Sequence, residues 1–160
     1  MTTSVLVAVA VLVLAAMPSA QQAAPAWQPP PPTPGALVPQ TGSYKQDAVE
    51  FTLAAGEGME YKYRLEKGAG MLYSWTSTGP VHYEMHSVPD GAPSTFAETF
   101  DKQDDRSGAH GTYTAPFSGI HGWYWANKTG QPVTIKMTTT GFYSESQEFR
   151  KGQDVRRRPF

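Results

Sequence analysis

The sequence contains no cysteine, and only 17% of its 160 residues are charged. The lack of cysteine excludes disulfides, zinc-thiolate centres and thiol catalysis. A Gly-x-Ser-x-Gly elbow, and any other strained nucleophile turn, is missing as well. The acids of the stretch FDKQDDRSG do not have the spacing of a calcium loop, and we interpret them as part of a solvated hairpin. We therefore expect a protein that is not an enzyme and that has no cofactor.

Basic residues are scarce outside the C-terminal end of the chain. Five of the 13 lysines and arginines lie in the last eleven positions, which leaves 8 basic against 13 acidic residues in 1–149. A nucleic-acid groove needs basic residues spread over a folded surface, so no nucleic-acid partner is expected. Residues 147–160, which end in RRRPF, are predicted to be a basic disordered tail.

The N-terminal end has no lysine or arginine but carries an apolar run from Val5 to Met17. Its length is typical of the core of a signal peptide and is short for a membrane-spanning helix. Residues 1–20 are therefore predicted to be a signal peptide or an N-terminal membrane anchor. The protein would be exported, either free in the periplasm or anchored in the inner membrane and facing the periplasm. Seven prolines in 25–40 predict a disordered Pro-rich linker over 21–43.

From residue 44 onward, apolar and polar residues alternate in short runs. In GMEYKYRLEKG (58–68), every second residue is apolar and the residues between are charged, which predicts a strand with one apolar face. VEFTL (49–53) and MLYSWTSTG (71–79) show the same period, and Gly79-Pro80 is predicted to be a turn. About eight short strands, spaced near ten residues apart, predict an all-β fold over 44–146, an antiparallel β-sandwich.

The stretch GIHGWYWAN places a histidine and two tryptophans at every second position of one predicted strand. Side chains at that spacing share one face of a strand, and two indoles on one face are expected to be buried, because burying them removes a large apolar area from water. The predicted structural core residues are Trp75, His121, Trp123, Trp125 and Asn127.

The spacing Gly119, His121, Trp123, Trp125 and Asn127, followed by an alternating apolar strand, resembles the penultimate strand of GOLD domains. These are β-sandwiches of secretory-pathway cargo receptors. The VEFTL strand, the hairpin from MEYKYRL to MLYSWTS and the stretch AHGTYTAPFSGIHGWYWAN follow the same order as in that family. The chain also resembles small bacterial exported proteins described as transmembrane anchor proteins.

Two positions depart from the GOLD pattern. His121 stands where the family usually has tyrosine, and Tyr124 stands where its cysteine would be. A coiled coil or membrane helix after the domain is also missing, so a role in vesicle traffic does not carry over. The resemblance implies a GOLD-like or jelly-roll-like sandwich that acts as a non-catalytic interaction domain outside the cytoplasm.

A metal site is one alternative, because imidazole together with thioether ligands would suit copper. His82, Glu84 and His86 share one face of the predicted strand PVHYEMHSVPDG. The two histidines are four residues apart, or about 13 Å along a strand, so only one of them could join Glu84 at a single ion. A periplasmic copper-binding protein is the function that this alternative implies.

A site for carbohydrate or peptide, built on exposed aromatic rings, is the other alternative. It needs Tyr124, Tyr73 or Trp75 on a solvent-facing surface. The preferred hypothesis remains an exported or membrane-tethered β-sandwich that acts as a structural or protein-interaction module at the cell envelope. Its expected partners are another envelope protein and, through the N-terminal segment, the membrane.

Overall fold

A computed structural model of the chain describes residues 31, 34–35, 37–93 and 95–160. Within these ranges the chain forms eight β-strands and no helix. The strands are β1 (Lys45–Leu53), β2 (Gly58–Leu65), β3 (Gly70–Pro89), β4 (Glu98–Thr114), β5 (Gly119–Ala126), β6 (Val133–Gly141), β7 (Tyr143–Arg150) and β8 (Arg156–Pro159). All of the strand pairs are antiparallel, so the predicted all-β antiparallel fold is confirmed.

The strands form one sheet in the order β1-β6-β3-β5-β2-β7-β8, and β4 pairs with the other edge of β3. The sheet curls so that its two halves face each other as the layers of a sandwich. Phe51 of β1, for example, lies with its ring centroid 5.0 Å from that of Tyr61 on β2 and 6.2 Å from that of Trp125 on β5. The hydrophobic core lies between these layers.

Strand β3 connects the two layers because it is 20 residues long. Its first part, Met71–Ser77, pairs with β6, and its second part, His82–Pro89, pairs with β5. The predicted turn at Gly79-Pro80 is wrong, because these residues lie inside β3. They occupy a break in its register with β4, where a proline need not donate a ladder hydrogen bond and the strand can bend between layers.

The stretch FDKQDDRSG lies inside β4, which spans 17 residues, and the predicted solvated hairpin at this place is wrong. Asp105 has a φ angle of 56°, in the left-handed region that only a few non-glycine residues adopt. The register between β3 and β4 shifts between Val81, which pairs with Arg106, and Tyr83, which pairs with Gln103, so that β4 has one extra residue here. The residues that favoured a hairpin in the sequence therefore form a bulge inside a long strand.

The C-terminal segment is ordered, so the predicted disordered tail over 147–160 is wrong, as is the predicted domain end at residue 146. Residues 143–150 form β7, and residues 156–159 form β8, which pairs with β7. Gly152, with a φ angle of 75°, lies in the turn between them. Ion pairs with Glu148 and Glu145 of β7 hold Arg156 and Arg157 of β8 in place.

The folded unit runs from Val38 to Phe160. The predicted signal peptide or anchor over 1–20 lies outside the described residues, as does most of the predicted linker over 21–43. In the part of the chain that the structure describes, no helix has the length and apolar character needed to span a membrane.

Candidate functional site

The predicted core rings are buried between the layers. Trp75, His121, Trp123 and Trp125 are each at most 1% exposed, which confirms their predicted core position. The rings of Trp123 and Trp125 stack with centroids 6.2 Å apart, and the ring of Trp75 meets that of Trp125 edge-on at 5.8 Å. We call the three indoles the tryptophan cluster. Within the described residues their indole N–H groups have no hydrogen-bond partner, so the tryptophan cluster is held by apolar contact.

His121 extends this buried region and is neutral at pH 7. Burial is the main cause that lowers its pKa to about 4. Its Nδ1 shares a hydrogen bond of 2.8 Å with the hydroxyl of Tyr113, which lies 3.2 Å from Ser87 Oγ. Burial also raises the pKa of Tyr113 to about 12, so this phenol is neutral too. The arrangement is a set of neutral polar groups inside the core.

Asn127 is buried at the end of β5 and connects three backbone segments. Its Nδ2 lies 3.1 Å from the carbonyl of Leu53, 3.0 Å from that of Ala54 and 2.8 Å from that of Gln131. Its Oδ1 accepts a hydrogen bond of 2.9 Å from the backbone N–H of Thr129. These contacts agree with the structural role predicted for Asn127.

The three predicted metal ligands lie on the second part of β3 but do not share one centre. His82 Nδ1 is 2.8 Å from Asp104 Oδ1 on β4, and Lys128 Nζ is 2.7 Å from the same oxygen. Glu84 instead accepts a hydrogen bond of 2.7 Å from Thr99 Oγ1. His82 is therefore paired with an aspartate that the sequence analysis did not connect with it.

His86 is only 8% exposed and lies between two carboxylates. Its Nε2 is 3.8 Å from Glu60 Oε1, and its Nδ1 is 3.8 Å from Glu84 Oε1. Glu60 also contacts the buried Lys62 Nζ at 2.6 Å. Burial, followed by the charge of Lys62, lowers the pKa of His86. Because its two nitrogens face different acids, no single ion could bridge all three side chains.

The positions of the acidic and histidine side chains agree with the separation of His82, Glu84 and His86 into different contacts. Across the residues that the structure describes, no group of three or more such side chains is placed to hold a metal ion. His82, Glu84 and His86 are thus of the right residue types without forming one ligand set.

The two tyrosines of the aromatic-platform hypothesis are both partly buried and lie on opposite faces of the sheet. Tyr73 packs against Trp123, with ring centroids 4.8 Å apart, on the core side. Tyr124 is the neighbour of Trp123 in β5 and so points to the other face, where its ring meets that of His82 at 6.1 Å. Trp75 is fully buried. These rings do not form one flat platform.

A cleft of about 400 Å³ lies between β1 and the pair β7–β8, at the place where the curled sheet is open. Four arginines from the C-terminal end of the chain lie along its walls. The side chains and backbone of its walls belong to Val49, Glu50, Phe51, Thr52, Tyr61, Ser146, Glu148, Arg150, Arg156, Arg157 and Arg158. We call it the arginine cleft.

The arginines of the cleft differ in how far they are paired. Arg150 lies 2.6 Å from Glu148 and also contacts Glu57, and Arg157 lies 2.9 Å from Glu145. Arg156 has only a distant contact, 4.0 Å from Glu148, and its side chain is 71% exposed. Arg156 is therefore the guanidinium of the cleft with the most hydrogen-bonding capacity left for another molecule.

A buried carboxylate adjoins the arginine cleft. The side chain of Asp47 on β1 is 1% exposed and forms an ion pair with Arg158 of β8. The hydroxyls of Tyr61 and Tyr63 donate to Asp47 Oδ2 at 3.0 and 2.9 Å. The ring of Phe160 lies 4.5 Å from the guanidinium carbon of Arg158. We call these five residues the Asp47 cluster, and it attaches the last strand to the first.

The sequence analysis missed both the Asp47 cluster and the arginine cleft. A strand of four residues that reads RRRP has no alternation to recognise, and proline disfavours a strand assignment. One signal was present, because Asp47 is in phase with Val49, Phe51 and Leu53 on the inward face of β1. An acid on an apolar face requires a buried partner, although the sequence does not show which one.

Comparison of the chain with protein-family models and with curated protein sequences gives no match.

Proposed function

We propose that this protein is a non-catalytic interaction module, exported or tethered to the membrane, and that its arginine cleft binds an acidic, extended segment of an envelope protein. The observation that carries the proposal is an open cleft lined by four arginines, of which Arg156 is only weakly paired. Arginine stays charged at every physiological pH, and its planar group matches a carboxylate with two parallel hydrogen bonds.

The charge balance at the cleft supports an acidic ligand. Two glutamates, Glu50 and Glu148, stand in its walls beside the four arginines. Glu50 lies 3.3 Å from Lys136 Nζ and is thereby partly neutralised on the outer side of the sheet. Three of the four arginines are also paired with acids: Arg150 with Glu57 and Glu148, Arg157 with Glu145, and Arg158 with Asp47. The positive charge left for a ligand is therefore chiefly that of Arg156. One weakly paired guanidinium suits a carboxylate of a short acidic segment better than the many charges of a long polyanion.

The shape of the cleft supports an extended ligand. It runs along residues 49–52 of β1 and faces β8, and its walls include Val49 and Phe51 as well as the charged groups. Apolar contact in the floor together with charged groups at the rim is typical of peptide-binding grooves.

The binding test uses the full chain and a seven-residue peptide of alternating glutamate and threonine, labelled for fluorescence anisotropy. We expect the double variant Arg156→Glu/Arg157→Glu to bind the peptide about tenfold more weakly or worse, because charge reversal replaces attraction by repulsion. The affinity of the unmodified protein should also fall as salt is raised.

The matched control is Lys102→Glu/Lys128→Glu, which reverses two exposed lysines that lie outside the cleft. It changes net charge by the same amount and should leave peptide affinity nearly unchanged. Equal losses in the two double variants, or no binding by the unmodified protein, would contradict the proposal. Membrane fractionation, with the mass of the N-terminus, tests the tether separately.

A further inference from the structure

The two strands that border the arginine cleft each have an open edge. β1 pairs with β6 and β8 pairs with β7, and within the described residues neither strand has a backbone partner on its other side. The two edges face each other, because the Asp47–Arg158 ion pair spans the cleft at one end. At the other end, Arg150 Nη1 lies 3.4 Å from the carbonyl oxygen of Thr52.

The backbone groups of β1 that point into the cleft can be identified from two contacts of Thr52. Its carbonyl faces Arg150, on the side away from β6. Its hydroxyl lies 3.3 Å from that of Thr134, its register partner on β6, as expected for a pair whose backbone groups point away from each other. Because backbone direction alternates along a strand, the N–H and C=O groups of Glu50 and Ala48 point the same way.

We propose that the acidic partner binds as an added β-strand along the open edge of β1, with its carboxylates directed to the arginines of the cleft; this proposal rests on the function proposed above. Backbone groups at 48, 50 and 52 supply the hydrogen bonds to the added strand. Arg156 is the guanidinium best placed to bind the carboxylates of that strand. The five residues from Ala48 to Thr52 span about 17 Å at about 3.3 Å per residue, enough for a short strand.

Charge on an edge strand has another use, since it prevents sheets from pairing edge to edge and aggregating. The two uses differ in what happens to the backbone of β1. A bound strand protects the amides of Ala48, Glu50 and Thr52 from hydrogen exchange, whereas a protective charge acts on neighbouring molecules without ordering these amides.

The first test adds the glutamate–threonine peptide to the full chain and follows amide hydrogen exchange. We expect exchange at 48, 50 and 52 to slow by about tenfold or more near saturation, while the amides of Val49 and Phe51, which already face β6, change little. Peptide binding that depends on Arg156 and Arg157 but leaves these three amides unprotected overturns strand addition and leaves the proposed function standing. Absence of any peptide binding overturns both.

The second test replaces Glu50 by proline, which removes the N–H that points into the cleft while the ladder with β6 stays intact. Glu50→Gln is the matched control, since it removes the same charge and keeps the N–H. We expect Glu50→Pro to bind the peptide about tenfold more weakly than Glu50→Gln, provided that circular dichroism shows both to be folded. Equal affinities in two folded variants overturn the proposal, and the exchange test decides the case if Glu50→Pro does not fold.

Discussion

The tryptophan cluster and the Asp47 cluster are two buried regions of the same core, and they are held together in different ways. The three indoles of the tryptophan cluster pack ring against ring, and their N–H groups have no partner in the described part of the chain. In the Asp47 cluster both carboxylate oxygens are used, one by Arg158 and the other by two tyrosine hydroxyls. The tryptophan cluster thus depends on buried apolar area, and the Asp47 cluster depends on the direction of its hydrogen bonds.

The two kinds of contact have different consequences for the fold and for the candidate site. Apolar burial is non-directional and grows with area, so the tryptophan cluster stabilises the fold through the apolar area that it buries. Hydrogen bonds to a buried carboxylate are directional, and breaking them leaves polar groups without partners. The Asp47 cluster therefore fixes how β8 lies against β1, and thereby the width of the arginine cleft.

The largest effect is expected from Trp125→Ala in the tryptophan cluster. Removing a fully buried indole deletes apolar contact and leaves a cavity, which costs about 3–5 kcal/mol of unfolding free energy. Leu72→Ala is the control, because Leu72 is 57% exposed and its loss should change stability by about 0.5 kcal/mol or less. Urea denaturation measures both. Similar losses in the two variants would contradict the assignment of the core.

The next effect is a pH dependence that comes from His121 beside the tryptophan cluster. Its pKa is lowered from 6.5 to about 4 by burial, so the folded protein binds fewer protons than the unfolded chain between these values. The stabilising effect of the neutral imidazole is complete above about pH 6.5 and is lost as the pH falls toward 4. The loss should approach about 3 kcal/mol, at 1.36 kcal/mol per pKa unit.

Acids with lowered pKa values, such as Asp101 and Asp104, also destabilise the fold on acidification. The informative quantity is therefore the difference between the unmodified protein and His121→Gln, measured by denaturation from pH 7 to pH 4. We expect the variant to be less stable at pH 7 but to lose less stability on acidification. Parallel pH profiles would show that His121 does not titrate in this window.

The smallest effect on global stability is expected from Asp47→Asn in the Asp47 cluster. Removing one partner of a fully buried ion pair costs about 3–5 kcal/mol, but Arg158 is half exposed and can be rehydrated, so about 1–2 kcal/mol is expected here. Glu50→Gln, an exposed change on the same strand, is the control. Hydrogen exchange should show faster opening of β8 in Asp47→Asn alone. If β8 is equally protected in both variants, the Asp47 cluster does not hold it.

Most of the sandwich core could be predicted because alternation is a local signal. His121, Trp123 and Trp125 lie two positions apart in one strand, and each is buried. The period of the strand places such residues on one face whatever the partner strands are. The turn at Gly79-Pro80 was predicted wrongly because only local signals can be recognised in a sequence. The turn-forming residues were visible there, whereas the pairing of β3 with two other strands was not.

The metal and aromatic-platform hypotheses show the limit of a local pattern. His82 and Glu84 share a face of β3, as predicted, yet each finds its partner on β4, in Asp104 and Thr99. Which side chain approaches from a neighbouring strand depends on register, and a shift of one residue would exchange all of the partners.

Composition and a period of two were sufficient to predict the all-β class, the inward faces of most strands and the burial of the tryptophan rings of β5. Three features depend on contacts between distant parts of the chain: β3 joins two layers, the last four-residue strand is attached to Asp47, and four arginines line one cleft. Asp47 and Arg158 are over a hundred positions apart in the chain. Their contact depends on the curl of the whole sheet, which no local pattern encodes.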